Sequence, residues 1–441
     1  MSEKGDRQKK FLSAEQRLAY VNKKKKELLE SCTSCGSCLK HCPIFVQGKY
    51  KDRKPRKIME KVLDLAKNDH YSEEAAYTVL TCTICGECTS HCPEKLIPLL
   101  IFRAGLEELS HLGKAPPSTP DFTESLSIVQ LKPSDIKWIS TIPEEPEQVD
   151  IVLYPGCDSI RAPHEILTHI DILEKMNLNF VTLWGEEFCC GFKGYSVNDF
   201  EKGDKLAKTL ISAIEAFKPK ILLLPCGQCY FQFKRTLSRL FSFSFEFIYF
   251  PQFLLQNIDK IKFSNEINKV ITYHDSCKIA RAVRDFDTTR ELLKKIPGIK
   301  LVEMERNKER SICCGGLKNF SYPELTAKLG KDRLDQAKKV EADILVTDCT
   351  LCYSIYSIRE DLYPFEVNHY ITLIAEAMGI KPRKDTYKKI LHMDPNRVIE
   401  EAREIIVLKG GDEKKIKSEF LEFISIKEKL RDKTKELMSN K

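Results

Sequence analysis

Four stretches near the N-terminus space apolar residues three and four apart, the signature of one helix face. They run from Leu12 to Glu30, Arg56 to Lys67, Glu73 to Leu80 and Leu96 to Leu106, the last starting near Pro98. Further along the pattern changes. Short apolar runs at Ile151–Tyr154, Phe180–Leu183 and Ile221–Leu224 read as buried strands, with helical segments at Ala162–Met176 and Phe200–Ala216 between them. The same alternation then returns, with strands at Lys269–His274, Lys300–Met304 and Ile344–Thr347 and helices at Ile279–Lys295 and Pro323–Lys339. Strands alternating with helices predict a largely parallel sheet in each unit.

The chain therefore reads as an α+β multidomain protein. A helical domain occupies 1–111, and a proline-marked linker 112–149. Two α/β units follow at 150–265 and 266–384. A charged helical extension covers 385–441, its expected apolar side being Leu421, Phe423, Ile424 and Ile426. The 441 residues leave room for two to three domains, at ~100–200 residues each. A hydrophobic share of 42% is enough for a sizeable core without covalent staples.

Charge and targeting signals narrow the setting. The net charge is +7, and the basic runs are Lys23–Lys26 and Lys49–Lys57. These fit solvated surface, or a face for an acidic partner or an anionic membrane. They lack interleaved aromatics, so nucleic acid is not an expected partner. No apolar run reaches the ~20 residues of a membrane span. The opening MSEKGDRQKK has no apolar signal core. A cytoplasmic location is expected, at most peripheral on the cytoplasmic face of a membrane. In that setting abundant cysteine means metal or redox chemistry rather than disulfides.

Eighteen cysteines fall into four groups with none left over. Two groups read C-x2-C-x2-C-x3-C-P: Cys32, Cys35, Cys38, Cys42 and Cys82, Cys85, Cys88, Cys92. Three close thiolates wrap one cubane, and the fourth, turned away by proline, reaches the other cluster. This assigns one [4Fe-4S] cubane to Cys32, Cys35, Cys38 and Cys92, and another to Cys82, Cys85, Cys88 and Cys42. Zinc sites show paired C-x2-C spacing instead. His41 and His91 precede each fourth cysteine. Packing or a hydrogen bond is expected of them, because four thiolates already complete each site. The helical sequence between the motifs resembles the α-helical ferredoxin domains of respiratory iron–sulfur subunits.

The other two groups each hold a lone cysteine, a Cys-Cys-Gly and a C-x2-C: Cys157, Cys189, Cys190, Cys226, Cys229 and Cys277, Cys313, Cys314, Cys349, Cys352. The lone cysteines and the C-x2-C pairs follow predicted strands, and parallel strands gather such loops at one sheet edge. Five thiolates per unit exceed an ordinary cubane's four. They imply an unusual cluster or a spare reactive thiol, with zinc as the other possible occupant.

This pattern resembles the CCG-domain iron–sulfur proteins, and over residues 12–380 the arrangement resembles the D-type subunit of heterodisulfide reductase. The resemblance implies noncubane [4Fe-4S] clusters on both five-cysteine sets, which would then be the catalytic residues. It implies reduction of a small disulfide such as the coenzyme M–coenzyme B heterodisulfide, and electrons from a membrane cytochrome b or a flavoprotein subunit. Family members read D-P-C-H-x-G-R where this chain has Asp275-Ser276-Cys277-Lys278-Ile279-Ala280-Arg281. Asp275, Lys278 and Arg281 would there orient an anionic substrate or supply protons, or else form local salt bridges. Similar CCG subunits relay electrons from flavin-dependent glycolate, lactate and glycerol-3-phosphate dehydrogenases toward quinone, which is the alternative function. A zinc-holding redox sensor is a third reading. The chain has no Gly-x-Gly-x-x-Gly loop, so its electrons are expected from another subunit.

Overall fold

Ser13 opens the first helix by a reciprocal cap: its Oγ accepts from the Gln16 N–H at 3.1 Å, and Gln16 Oε1 accepts from the Ser13 N–H at 2.9 Å. The computed structural model describes residues 13–114, 123–185, 188–196, 199–318 and 321–439, so Leu12 and the APPSTP stretch lie outside it. The capped helix, Ala14–Ser31, is followed by Pro55–Ala66, Glu73–Leu80 and Pro98–His111. Two of these start on proline at a position whose N–H has no helical partner anyway. Their apolar faces close a core around Leu39, Ile58, Met59, Val62, Ala75, Val79 and Ile101.

Each later unit holds four parallel strands, not three. The first sheet runs β1 (Ile151–Leu153), β2 (Phe180–Thr182), β3 (Ile221–Leu224) and β4 (Glu246–Tyr249), in spatial order β2-β1-β3-β4. The second runs β5 (Lys269–His274), β6 (Ile299–Val302), β7 (Ile344–Thr347) and β8 (Glu366–His369), in order β6-β5-β7-β8. In both, the chain leaves the first strand to one side and returns on the other. The two middle strands are thus where strand order reverses, the place where open α/β sheets bind ligands.

Side-chain alternation in the first sheet feeds two cores. Val152, Tyr154, Leu222 and Leu224 face a core built mainly by the first unit, with Leu210, Ile214 and Phe233, to which Ile279 and Val283 of the other unit add. Ile151, Leu153 and Leu223 face a second core, which they share with Ile271, Leu345 and Val346 of the other sheet. The two sheets therefore have a common interior.

Other expectations need correcting. The helix expected over Ile279–Lys295 is broken: a π-helical turn, Lys278–Val283, ends at Arg284, whose φ is 65°, and the α-helix resumes at Thr288–Lys294. The strand expected over Lys300–Met304 is Ile299–Val302. The linker is packed over the first stretch of its described part: Leu126, Val129 and Leu131 are buried, and Trp138 meets Trp184 edge to face at 4.4 Å. The extension forms three helices, Thr386–His392, Pro395–Leu408 and Glu413–Ser439. The last buries Ile416, Phe420, Phe423 and Leu430 against the helix Pro323–Lys339, whereas Leu421 is exposed. No described helix is long and apolar enough to cross a membrane.

Candidate functional site

The C-x2-C-x2-C loops share one backbone conformation. Ser34 and Gly36 have φ of 52° and 76°, and their repeat counterparts Ile84 and Gly86 have 54° and 80°. Left-handed residues curl the loop back on itself, so that the Ser34 and Ile84 N–H groups bond to the sulfurs of Cys32 and Cys82. Glycine serves this conformation without strain, whereas Ile84 adopts it at a cost of roughly 1–2 kcal/mol. The structure brings Cys32, Cys35, Cys38 and Cys92 around one cavity, and Cys42, Cys82, Cys85 and Cys88 around another. The fourth cysteine of each motif thus faces the other motif's cavity. His41 and His91 stack with centroids 3.8 Å apart and planes 6° from parallel. Their further contacts are to the Ser37 carbonyl, 3.0 Å from His41, and to Glu87, 3.4 Å from His91.

The later cysteines lie just beyond the carboxyl ends of the middle strands. Cys157 follows β1, Cys226 and Cys229 follow β3, Cys277 follows β5, and Cys349 and Cys352 follow β7. In the first unit Cys190 contacts both Cys189 and Cys229, the latter at 3.8 Å, and Cys229 contacts Cys226. Cys157 shares the surroundings of Tyr154 with Cys189, Cys190 and Cys229. In the second unit Cys313 is a hub, in hydrogen-bonding contact with Cys277 and Cys314. Cys314 lies 3.3 Å from Cys352, which contacts Cys349. Each set of five is therefore gathered.

The units also guard one another. The turn carrying Cys157 packs on the helix carrying Cys352, and the turn after Cys277 packs on the helix carrying Cys229.

The thiol environments test whether these residues suit a metal–sulfur core. Burial pushes Cys82 up to about 11 and Cys38 up to about 12, and drives Cys42 and Cys88 well upward. Sulfurs crowded in dry pockets resist ionising unless a positive body stands between them, and metal binding provides one. Among the described residues, no three His, Cys, Asp or Glu side chains close on a point that would hold a single metal ion.

The inner ferredoxin-type group touches the second five-cysteine set. Cys85 hydrogen-bonds with Cys313, and Thr83 Oγ1 lies 3.5 Å from Cys313 Sγ. That bond holds the Cys85 thiol well below its usual range, and the Arg281 guanidinium adds to the effect.

The three side chains flanking Cys277 all have partners within the protein. Asp275 is buried against Arg290 at 2.5 Å and accepts from the Lys308 N–H at 2.8 Å. Lys278 reaches the Ile84 carbonyl at 3.5 Å and lies over Phe192 and Phe231. Arg281 donates through Nε to the Cys85 carbonyl at 2.7 Å. Sequence reasoning missed Glu87, which meets Arg281 at 3.1 Å. A signal was available, because the first repeat has Ser37 at that position and a buried charge there breaks the repeat. It also missed Glu165, whose Oε2 accepts from Thr350 Oγ1 at 2.5 Å beside Cys349.

The family description "Cysteine-rich domain" matches residues 151–234 and 271–355, and "4Fe-4S dicluster domain" matches residues 28–96. The chain is 33% identical over 257 residues to the D-type subunit of dihydromethanophenazine:CoB–CoM heterodisulfide reductase from Methanosarcina barkeri, covering 56% of this chain and 63% of that protein. To the subunit of the same name from Methanosarcina acetivorans it is 29% identical over 391 residues, covering 80% and 94%. A hypothetical protein from Helicobacter pylori has a similar fold, with a TM-score of 0.50 and 13% identity over 84% of this chain and 75% of that one.

Proposed function

For a chain with two cysteine-rich domains behind a 4Fe-4S dicluster domain, an iron–sulfur oxidoreductase-type protein related to the D-type subunit of heterodisulfide reductase, we propose the role of a component that carries electrons to a small disulfide and reduces it. The observation that carries this reading is the contact between Cys85 and Cys313, which joins the inner N-terminal thiol group to the second five-cysteine set. Cys35 is exposed, so the outer group opens to the surface, where a flavoprotein or cytochrome b partner would dock. Cys32, Cys35, Cys38 and Cys92 would hold the outer cubane, and Cys82, Cys85, Cys88 and Cys42 the inner one. Cys157, Cys189, Cys190, Cys226 and Cys229 would hold one noncubane cluster, and Cys277, Cys313, Cys314, Cys349 and Cys352 the other. When bound, these groups supply single-electron transfer along the line and the two-electron cleavage of a disulfide at its end. Cys189, Cys190, Cys229, Cys313, Cys314 and Cys352 are buried, whereas Cys157, Cys226, Cys277 and Cys349 are half-buried and leave that end reachable by a substrate.

Protein purified without oxygen should contain about sixteen irons, four for each of four clusters. About eight irons with zinc would reject the noncubane assignment. Cys349→Ala should abolish turnover of a disulfide and leave the cubane EPR signals in place; it is a cleaner probe than Cys313, which touches the inner group. Full iron without disulfide turnover, but with electron transfer to a quinone, would replace this reading by the relay.

A further inference from the structure

Arg281 occupies the seam between the inner ferredoxin-type group and the second five-cysteine set, and its side chain is 2% exposed. Nε bonds to the Cys85 carbonyl, and Nη1 donates to the Ser311 carbonyl at 2.5 Å, two residues before Cys313. Nη1 also pairs with Glu87, whose side chain is 3% exposed. The other nitrogen, Nη2, is enclosed and makes no hydrogen bond among the described residues, and neither does the enclosed Glu87 Oε2. A buried guanidinium N–H without an acceptor is costly and rare.

The charges are unbalanced in the same direction. Glu87 faces two guanidinium groups, with Arg306 Nη2 at 3.6 Å from its other oxygen. The seam, with Arg306 at its partly exposed edge, thus brings two cations to one carboxylate. Beyond a longer contact of Nη1 to the Glu309 carbonyl at 3.4 Å, the neighbours of Arg281 are sulfurs: Cys85, Cys277 and Cys313 all lie within its field. Both the spare N–H and the spare charge are met if the two thiol groups hold anionic clusters.

We propose that Arg281 is a positioning residue that clamps the inner cubane site to the second CCG site and raises the reduction potential of both. This rests on the reading that both sites hold iron–sulfur clusters. A fixed positive charge favours the form with one more electron, and hydrogen bonds and net charge are the levers that set cluster potentials. The clamp joins residues far apart in the chain, so one side chain acts on two sites of different type.

The test is a potentiometric titration of the anaerobic holoprotein followed by EPR, with iron counted in the same samples. R281M should make both sites harder to reduce by about tenfold in the reduction equilibrium, about 59 mV for one electron. R281K keeps the charge and should recover most of that shift. E87Q removes the opposing charge and should move the same two sites the other way. The site of Cys32, Cys35, Cys38 and Cys92 and the first CCG site should stay where they are in all three variants. Unmoved potentials with full iron, or an equal shift at all four sites, would overturn the proposal alone. Should R281M fail to assemble, E87Q decides by itself: a rise at the two sites supports the clamp, and no rise overturns it. Wild-type protein without iron in the second CCG site would overturn the cluster reading, and the proposal with it.

Discussion

At Gly156 the backbone holds a φ of 86°, and a Cβ built there would lie 2.8 Å from Cys229 Sγ. Two constraints coincide at this residue: a conformation that L side chains rarely adopt, and a sulfur already in the space. Gly156→Ala should destabilise the protein by about 2 kcal/mol or more and lower iron in the first CCG site while sparing the N-terminal cavities. Urea midpoints with iron counts would check this. The cysteines of the site were legible in the sequence because their spacing is local, set by loops of a few residues. Arg281 was singled out beside Cys277, but its bond to Cys85 was not legible: it spans 196 positions, and no short-range pattern encodes such a contact. Nor was the stack of His41 on His91, which needs the two repeats to be folded against each other.

Among elements, the strands that were missed are β4 and β8, both at sheet edges. Position alone does not explain this, because β2 and β6 are edge strands too and were read from the sequence; what sets β4 and β8 apart is that each opens on an exposed glutamate, which shortens the apolar run. β4 reads Glu-Phe-Ile-Tyr and β8 Glu-Val-Asn-His, whereas the central β3 reads Ile-Leu-Leu-Leu. The helical tail was legible in type but not in phase, because one position separates the buried Phe420 from the exposed Leu421. Helix Pro323–Lys339 shows how closely such elements meet. A Cβ on Gly330 would overlap the guanidinium of Arg359, which is fully buried and bonded to the Thr326 and Ile355 carbonyls. Gly330→Ala should therefore cost about 1–3 kcal/mol through overpacking, measured by denaturant unfolding. A stability equal to wild type would show that Arg359 can shift aside.

The whole molecule should be acid-sensitive through its shared interior. Helix Pro163–Lys175 packs on helix Tyr370–Ala377 of the other unit. Buried between them are His164, His169 and His369. Burial pushes all three imidazoles down, His169 to about 4. His169 Nδ1 donates to the Glu165 carbonyl at 2.6 Å. Unfolded, a histidine takes its proton near 6.5; folded, His169 takes it only near 4. Between these values the unfolded chain binds more protons. Stability is therefore full above about 6.5 and falls as the pH drops toward about 4, by on the order of 3 kcal/mol for His169 alone. H169Q should flatten the slope of unfolding free energy against pH in that window. An unchanged slope would mean that His169 is protonated in the native state. The α+β class and the alternation of strands and helices were legible in the sequence, but this common core was not, because it joins residues from two separate sheets.

The crossed packing of the Cys157 and Cys277 turns on each other's partner helices has an evolutionary edge. A tandem duplication normally leaves twins that part easily, each a finished piece. Here either twin, cut loose, would uncover the turn and helix that carry its own sulfurs, so each half expressed alone should be the more oxygen-sensitive.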